Sequence, residues 1–208
     1  MPVITKIESQ KKKDRFNIFV DGKFAFVLSA ESLVKAGLKI NHEISSDRIK
    51  ELIKENEFQK ALDKTFNFLS FRPRSKKEIS DYLSRKKIGD QLGKMIFQKL
   101  EDLQMINDLD FTKWWAGQRQ TFRPTGKRLL VLELRKKGIA KEIIDRVFES
   151  LPEEPEEEQA VKVLSKKERQ FKGLPRQAVW KKASGFLLRR GFSYQAVKKA
   201  VVIFLKKE

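Results

Sequence analysis

Cysteine is absent from the 208 residues, and histidine occurs once, at His42. The missing cysteine excludes a disulfide framework, a thiolate metal site and a thiol nucleophile. A single histidine, with neither a second histidine nor a cysteine, is too little for a histidine-based zinc site. We therefore expect a protein that has no catalytic residues and binds no metal or other cofactor.

Long apolar runs and phosphate-binding loops are also missing. No segment approaches the roughly eighteen continuous apolar residues that a membrane span needs, and residues 1–14 lack the apolar core of a signal peptide. The sequence has no Gly-rich loop of the GxxxxGK type, so we do not expect it to use ATP. These absences predict a cytoplasmic protein that is neither exported nor bound to a membrane.

Positive charge is in large excess. Lys and Arg number 46 against 28 Asp and Glu, which gives a formal net charge of +18 and a pI near 10.0. A polyanionic partner is the natural inference from such an excess. Composition alone does not separate DNA, RNA and acidic protein surfaces.

The first part of the chain has the pattern of a small sheet. Two β-prone runs, Arg15–Val20 and residues 23–28, are separated by Asp21-Gly22, a pair typical of a type I′ hairpin turn. With a third strand over residues 3–9 and a turn at 11–14, the pattern predicts a three-stranded meander that ends near Leu28. A short helix at Ala30–Ala36 and a second helix from the Ser45-Ser46 cap to about residue 56 follow.

The rest of the chain repeats itself. A shift of 51 positions superimposes apolar and motif residues without a gap, which implies two copies of one unit. The matched pairs include Phe71-Arg72-Pro73 with Phe122-Arg123-Pro124, Leu83 with Leu134, Ile88 with Ile139, and Leu100 with Leu151. A more divergent third copy places Leu187 and Phe192 over Leu134 and Ile139.

Each copy is predicted to contain three helices. In the first copy, residues 58–71 form one helix, which Arg72-Pro73 ends. Ser75 and Glu78 then form a capping box. Buried stripes follow at Ile79, Tyr82 and Leu83, and at Ile96, Leu100 and Leu103.

We therefore predict a mainly α fold with an N-terminal β segment. Its domains are residues 1–56, followed by three-helix repeats at 57–107, 108–152 and 153–208. Repeats this small are expected to pack into an elongated array. The acidic segment at residues 152–158 is expected to form a turn into the next helix.

Aromatic and acidic residues each allow a functional and a structural interpretation. Stacking on nucleic-acid bases is possible for Trp114, Trp115, Trp180, Phe66, Phe68, Phe71, Phe111 and Phe122, but their spacing at three and four residues predicts core positions. Asp108, Asp110 and Glu133 leave a magnesium-dependent nuclease open by residue type. We instead expect Asn107-Asp108 to cap a helix and Glu133 to form an ion pair.

Basic residues recur around the second helix of every repeat. They are Arg72, Arg74, Lys76, Lys77, Arg85 and Lys86 in the first; Arg119, Arg123, Lys127, Arg128, Arg135 and Lys136 in the second; and Arg176, Lys181, Lys182, Arg189 and Arg190 in the third. A periodic positive face suits a periodic polyanion. Any one of these residues is typical of a solvated helix face, so the prediction concerns the collective surface.

Several of these segments resemble one known family. Residues 106–111, Trp115, Arg119 and residues 133–139 are similar to the central signature of RecX proteins. Residues 69–79 and 187–194 resemble the family's first and closing motifs. Thr112 stands where a small alanine is usual in the family.

The resemblance implies tandem three-helix repeats in a curved rod that lies in the groove of a RecA–DNA filament. It further implies inhibition of recombinase ATP hydrolysis, strand exchange and coprotease action, with roles in DNA repair, homologous recombination and the SOS response. The partners would be the RecA filament and single- and double-stranded DNA, bound by a monomer. Two alternatives remain open at this point: a free-standing DNA- or RNA-binding module, and the magnesium-dependent nuclease.

Overall fold

The computed structural model describes residues 1–11, 14–151 and 154–206. Within these ranges it contains one three-stranded antiparallel sheet and ten α-helices, so the predicted mainly α fold is confirmed. The chain forms two compact units, Met1–Arg72 with Leu83–Asp102, and Pro73–Tyr82 with Leu103–Glu208. Lys12 and Lys13 of the first predicted turn, and Pro152 and Glu153 of the predicted acidic turn, lie outside the described residues.

The sheet has the predicted meander order, with strands β1 (Ile4–Ser9), β2 (Arg15–Val20) and β3 (Lys23–Ser29). Asp21 and Gly22 have φ values of 49° and 77°. Positive φ at both central residues is what a type I′ turn requires. Ile18 lies opposite Phe26 and Ile7, and its side chain is buried in the core of the first unit.

Two helices complete the N-terminal part of the first unit. Helix α1 (Ala30–Ala36) ends at Gly37, whose φ of 62° closes the helix in the left-handed conformation. Helix α2 (Ser46–Ser70) begins after Ser45, whose hydroxyl accepts a hydrogen bond from the amide of Arg48 at 3.1 Å. Leu52 of this helix joins the core beneath the sheet.

Helix α2 differs from the prediction of two separate helices. It runs for 25 residues through residues 56–58, because this stretch contains no Gly or Pro that would end a helix. The predicted boundary between residues 56 and 57 therefore lies inside a continuous helix.

The helices of the first two repeats begin at corresponding positions. Helices α3 (Lys76–Arg85) and α4 (Asp90–Asp102) start 51 residues before α6 (Lys127–Lys136) and α7 (Lys141–Ser150). Helix α5 (Asp108–Phe122) precedes α6 as α2 precedes α3. The number and order of the helices in the two copies agree with the prediction.

The third repeat contains α8 (Glu156–Ser165), a short 3₁₀ helix (Glu168–Gln170), α9 (Arg176–Arg189) and α10 (Tyr194–Lys206). Its core includes Leu164, Leu187, Val201 and Phe204. Leu187 and Phe192 are buried, as are Leu134 and Ile139 at the matching positions of the second repeat. The alignment of the third copy is thus supported by matching burial.

Three residues predicted as core are exposed. Leu103 follows the end of α4 and is 45% exposed. Phe71 and Phe122 are 82% and 77% exposed. Each of these two rings lies at the end of its helix, where the chain turns at Arg-Pro, so the helical spacing no longer places it on the buried face.

Candidate nucleic-acid interface

The first and second repeats meet at the start of α3. The amide of Glu78 donates to the hydroxyl of Ser75 at 3.2 Å, and the amide of Ser75 donates to Glu78 Oε2 at 3.3 Å, which confirms the capping box. The Ser75 hydroxyl also donates to the carbonyl oxygen of Lys137 at 2.7 Å, and Lys137 Nζ donates to Glu78 Oε1 at 2.7 Å. The capping box of one repeat therefore also binds the turn between α6 and α7 of the next.

A glycine makes this approach possible. Gly138 has a φ of 79°, and a Cβ at this position would lie 2.6 Å from the Cβ of Lys77. A side chain here would meet both a strained backbone and a steric clash.

The second and third repeats meet in the same way. The amide of Gly126, just before α6, donates to the carbonyl oxygen of Arg190 at 2.9 Å. A Cβ on Gly126 would lie 2.3 Å from the carbonyl oxygen of Gly191, whose φ is 81°. The start of the middle helix of one repeat thus contacts the turn after the middle helix of the next, and these junctions position the basic residues of the middle helices.

Among the three repeats, the second has its predicted basic residues, which lie around α6, most exposed to solvent. Leu130 and Leu134 bury one side of this helix, while Arg123, just before it, and both of its ends are exposed. The exposed basic residues are Arg123, Lys127, Arg128, Arg135 and Lys136. Lys127 Nζ lies 5.2 Å from the centre of the Phe148 ring and is partly held by it.

The first turn of α6 carries positive charge where a helix favours negative charge. Lys127 and Arg128 occupy its first two positions, and the turn contains no acidic residue. Cations beside the positive end of a helix dipole destabilise it by about 0.3–1 kcal/mol each. An anion bound by the exposed Lys127 and Arg128 side chains would offset that effect, because it would bring negative charge to the positive end of the helix.

Arg119 is engaged inside the protein. Its Nε donates to Glu133 Oε2 at 2.7 Å, and Trp115 Nε1 donates to the same oxygen at 2.9 Å. The guanidinium also lies over the Trp115 ring at 4.7 Å, and the Arg119 and Glu133 side chains are each only 23% exposed. The predicted ion pair of Glu133 is confirmed, and these contacts give Arg119 a structural role in the second repeat.

Arg190 is also held by the protein. Its Nη1 donates to the carbonyl oxygen of Pro124 at 3.1 Å, and its guanidinium lies over the Phe186 ring at 4.8 Å. Burial, and secondarily the nearby positive charge of Arg123, lower the pKa of Arg190 below its usual value. Arg190 thus belongs to the junction between repeats, whereas its neighbour Arg189 is exposed.

The remaining predicted residues lie mostly at the surface. Lys76, Lys77, Arg85 and Lys86 are exposed, whereas Arg72 and Arg74 are half-buried. Lys77 pairs with Asp81 at 2.8 Å on the surface of α3. In the third repeat, Arg176, Lys181 and Lys182 are exposed, and Lys182 Nζ donates to the carbonyl oxygen of Gln170 at 3.2 Å.

The tryptophans belong to the cores, as their spacing predicts. Trp114 and Trp115 pack with Phe111 in the second repeat, and Trp180 packs against the core of the third. Sequence reasoning instead missed the exposed rings of Phe71 and Phe122. The repeated tripeptide Phe-Arg-Pro marks the two positions as equivalent in sequence, but it does not indicate that the rings are exposed.

Two of the three carboxylates that a nuclease would use, those of Asp108 and Glu133, have structural partners. The side chain of Asn107 accepts from the amides of Leu109 and Asp110, so the predicted cap of α5 is confirmed. Asp108 Oδ1 accepts the amide of Lys76 at 2.9 Å, and Glu133 binds Arg119 and Trp115. Among the residues that the structure describes, no group of three or more His, Cys, Asp or Glu is arranged to hold a metal ion.

Within residues 1–11, 14–151 and 154–206, no helix combines the length and the apolar character needed to cross a bilayer.

The chain is therefore a basic protein built from three-helix repeats, which contact one another at the junctions described above. Family models match four consecutive segments. The model of the regulatory protein RecX N-terminal domain matches residues 2–45, and those of the first, second and third RecX three-helix domains match residues 61–92, 107–147 and 154–201. The chain belongs to the RecX family, a family of regulatory proteins rather than of enzymes.

Individual relatives agree with this assignment. The chain is 34% identical over 202 residues to the regulatory protein RecX of Bacillus subtilis (strain 168), covering 97% of this chain and 76% of the relative. It is 32% identical over 198 residues to the regulatory protein RecX of Listeria welshimeri, covering 95% and 74%.

Two solved structures share the fold. A crystal structure of regulatory protein RecX has a TM-score of 0.68 and 26% identity, covering 100% of both chains. A crystal structure of RecX from Lactobacillus salivarius has a TM-score of 0.61 and 24% identity, covering 72% of this chain and 97% of the other.

Proposed function

We propose that this chain binds a RecA–DNA filament and inhibits the recombinase, lowering its ATP hydrolysis, strand exchange and coprotease action. Its place would be in the cytoplasm, in recombinational DNA repair and in control of the SOS response. The observation that carries the proposal is the exposed basic surface around α6, formed by Arg123, Lys127, Arg128, Arg135 and Lys136. We call this set the α6 surface.

Charge supports a partner that carries phosphate. The net charge of +18 attracts any polyanion, but the α6 surface concentrates positive charge at a helix start where it destabilises the fold. This loss of stability at the start of α6 is explained if the protein needs cations there to bind its partner. DNA phosphates in the filament are suitable anions for it.

Repetition supports a partner that is itself periodic. The two junctions join successive repeats through equivalent backbone positions, so equivalent basic residues recur at a regular interval along the chain. Once one repeat is bound, the contacts of the next are effectively intramolecular, and the total affinity exceeds that of any single contact. A recombinase filament offers such repeated contacts, whereas a compact ligand does not.

Recombinase ATPase on single-stranded DNA, measured with and without this protein, tests the proposal. We expect the rate to fall as the protein is added at sub-stoichiometric to stoichiometric ratios. The control for nonspecific cation effects is a variant in which the order of residues 103–151 is scrambled. It keeps the size and charge of the parent but loses the sequence pattern from which the second repeat folds. An unchanged ATPase combined with tight, strongly salt-dependent binding to naked DNA would instead identify a free-standing nucleic-acid-binding module.

A further inference from the structure

Two phenylalanine rings stand in solvent at equivalent places in the first and second repeats. Phe71 follows the last residue of α2, and Phe122 is the last residue of α5. Each ring is more than three-quarters exposed, whereas many other apolar side chains of this protein are fully buried. The same exposed residue type at the same place in two divergent copies indicates that the exposed rings serve a contact outside the chain.

Both rings lie in stretches of the sequence that carry positive charge and no negative charge. Phe71 is followed by Arg72, and Phe122 by Arg123, which is exposed. No Asp or Glu occurs in residues 64–77 or in residues 111–132. An aromatic ring within a strip of positive charge is complementary to a ligand that combines negative charge with flat, apolar faces.

Single-stranded nucleic acid has this combination. Its phosphates pair with the cations, and its unpaired bases stack on aromatic side chains with little dependence on base identity. Duplex DNA fits less well, because its bases are already stacked on one another. An apolar pocket on a protein would accept the ring but would not pair with the basic side chains that flank it in the sequence.

We propose that Phe71 and Phe122 are stacking positions for unpaired bases of single-stranded DNA. The inference deepens the proposed function, on which it rests in part, by naming the component of the filament that these side chains contact. The two rings would supply the part of the affinity that is independent of salt, and the α6 surface the part that depends on it.

The test compares the parent with the double variant Phe71→Leu/Phe122→Leu. Leucine keeps an apolar side chain but has no ring to stack. Phe24→Leu is the matched control, because this phenylalanine is 58% exposed and lies in the sheet, outside the repeats. Far-ultraviolet circular dichroism should show that all three proteins are folded, since the changed side chains are largely exposed.

Fluorescence anisotropy with a labelled oligodeoxythymidine strand measures binding at several salt concentrations. Loss of a stacked base weakens binding by at least about fivefold at each position. We therefore expect the double variant to bind at least about 25-fold more weakly than the parent at every salt concentration. The slope of affinity against salt should stay unchanged, because no charge is altered. The parent and the leucine double variant should bind an abasic strand of equal length equally well, and the same holds for a duplex. The variant Phe71→Trp/Phe122→Trp, which keeps an aromatic ring at both positions, should bind the oligodeoxythymidine at least as tightly as the parent.

The following outcomes would overturn the proposal that the rings stack on bases. Equal binding of oligodeoxythymidine by parent and leucine variant, or no binding by the parent, would show that the rings do not stack on bases. Unchanged strand binding together with lost inhibition of the recombinase would place the rings against protein. The proposed function is tested separately by the parent's effect on recombinase ATPase, so a parent that binds the strand through its rings but does not inhibit would refute that function alone.

Discussion

At the scale of single residues, one backbone position shows how the repeats differ at their junctions. Gly138 and Gly191 end the middle-helix turns of the second and third repeats with positive φ, and the corresponding residue of the first repeat is Lys87, with a φ of 57°. At the two glycines a Cβ would collide with a neighbouring repeat, whereas Lys87 is exposed. Glycine is therefore required where two repeats approach closely, at Gly138 and Gly191. Where only the turn is needed, as at Lys87, lysine is tolerated at the cost of a strained backbone.

This difference predicts opposite effects of two substitutions. Lys87→Gly should stabilise the protein by about 0.5–1 kcal/mol, because glycine adopts positive φ without the penalty that a Cβ imposes. Gly138→Ala should destabilise it by about 1–3 kcal/mol, through both backbone strain and the contact with Lys77. Urea denaturation followed by circular dichroism measures both. A stabilising Gly138→Ala would contradict the junction described here.

At the scale of elements, α6 combines a buried apolar side with basic residues at both ends. Leu130 and Leu134 hold it in the core, while Arg128 in its first turn opposes the helix dipole and Arg135 in its last turn complements it. Two exposed arginines of one helix therefore have opposite effects on its stability. Their contributions to binding, by contrast, should have the same sign.

Charge reversal of each arginine separates stability from binding. Arg128→Glu should stabilise the fold by about 0.6–2 kcal/mol, and the matched variant Arg135→Glu should destabilise it by a similar amount, because each reversal changes the charge by two units and the dipole has opposite signs at the two helix ends. Both variants should bind single-stranded DNA more weakly than the parent, since each removes a cation and adds an anion. Thermal melting and fluorescence anisotropy measure the two properties. Loss of stability in Arg128→Glu would show that its positive charge serves the fold.

Several elements could be predicted from local signals. The Asp21-Gly22 turn, the Ser75 cap and the glycine after α1 act through the backbone of a few residues, and all three were predicted from sequence. The length of α2 was not, because the prediction ended a helix near residue 56 although residues 56–58 contain no Gly or Pro. The exposure of Phe71 and Phe122 was also missed, since it depends on which elements cover the end of each helix.

The candidate site was predicted less completely than the fold. Composition and repetition identified the basic surface, but they could not distinguish Arg123 from Arg119 or Arg190. That distinction depends on Glu133, Pro124 and Phe186, which the fold brings to these arginines from other parts of the sequence. Long-range partners of this kind are not visible in the spacing of a single segment.

At the scale of the whole molecule, the chain contains three similar repeats, each of which we propose contributes a contact with the filament. The proposed function depends on several repeats binding one filament together, so removing the cations of one repeat should cost more than its share of the affinity. Exposed charges contribute little to stability, and the fold should therefore survive their removal.

The most direct test is the concentration of this protein that half-inhibits recombinase ATPase, measured for the parent, for Arg123→Ala/Lys127→Ala/Arg128→Ala and for the control Arg15→Ala/Lys23→Ala. All five residues are exposed, and the control pair lies in the sheet, outside the repeats. Circular dichroism should show three equally folded proteins. We predict that the triple variant needs at least about tenfold more protein, as expected when one contact of a multivalent set is lost, and that the control stays close to the parent. Equal half-inhibition by the triple variant and the parent would show that the α6 surface does not contact the filament.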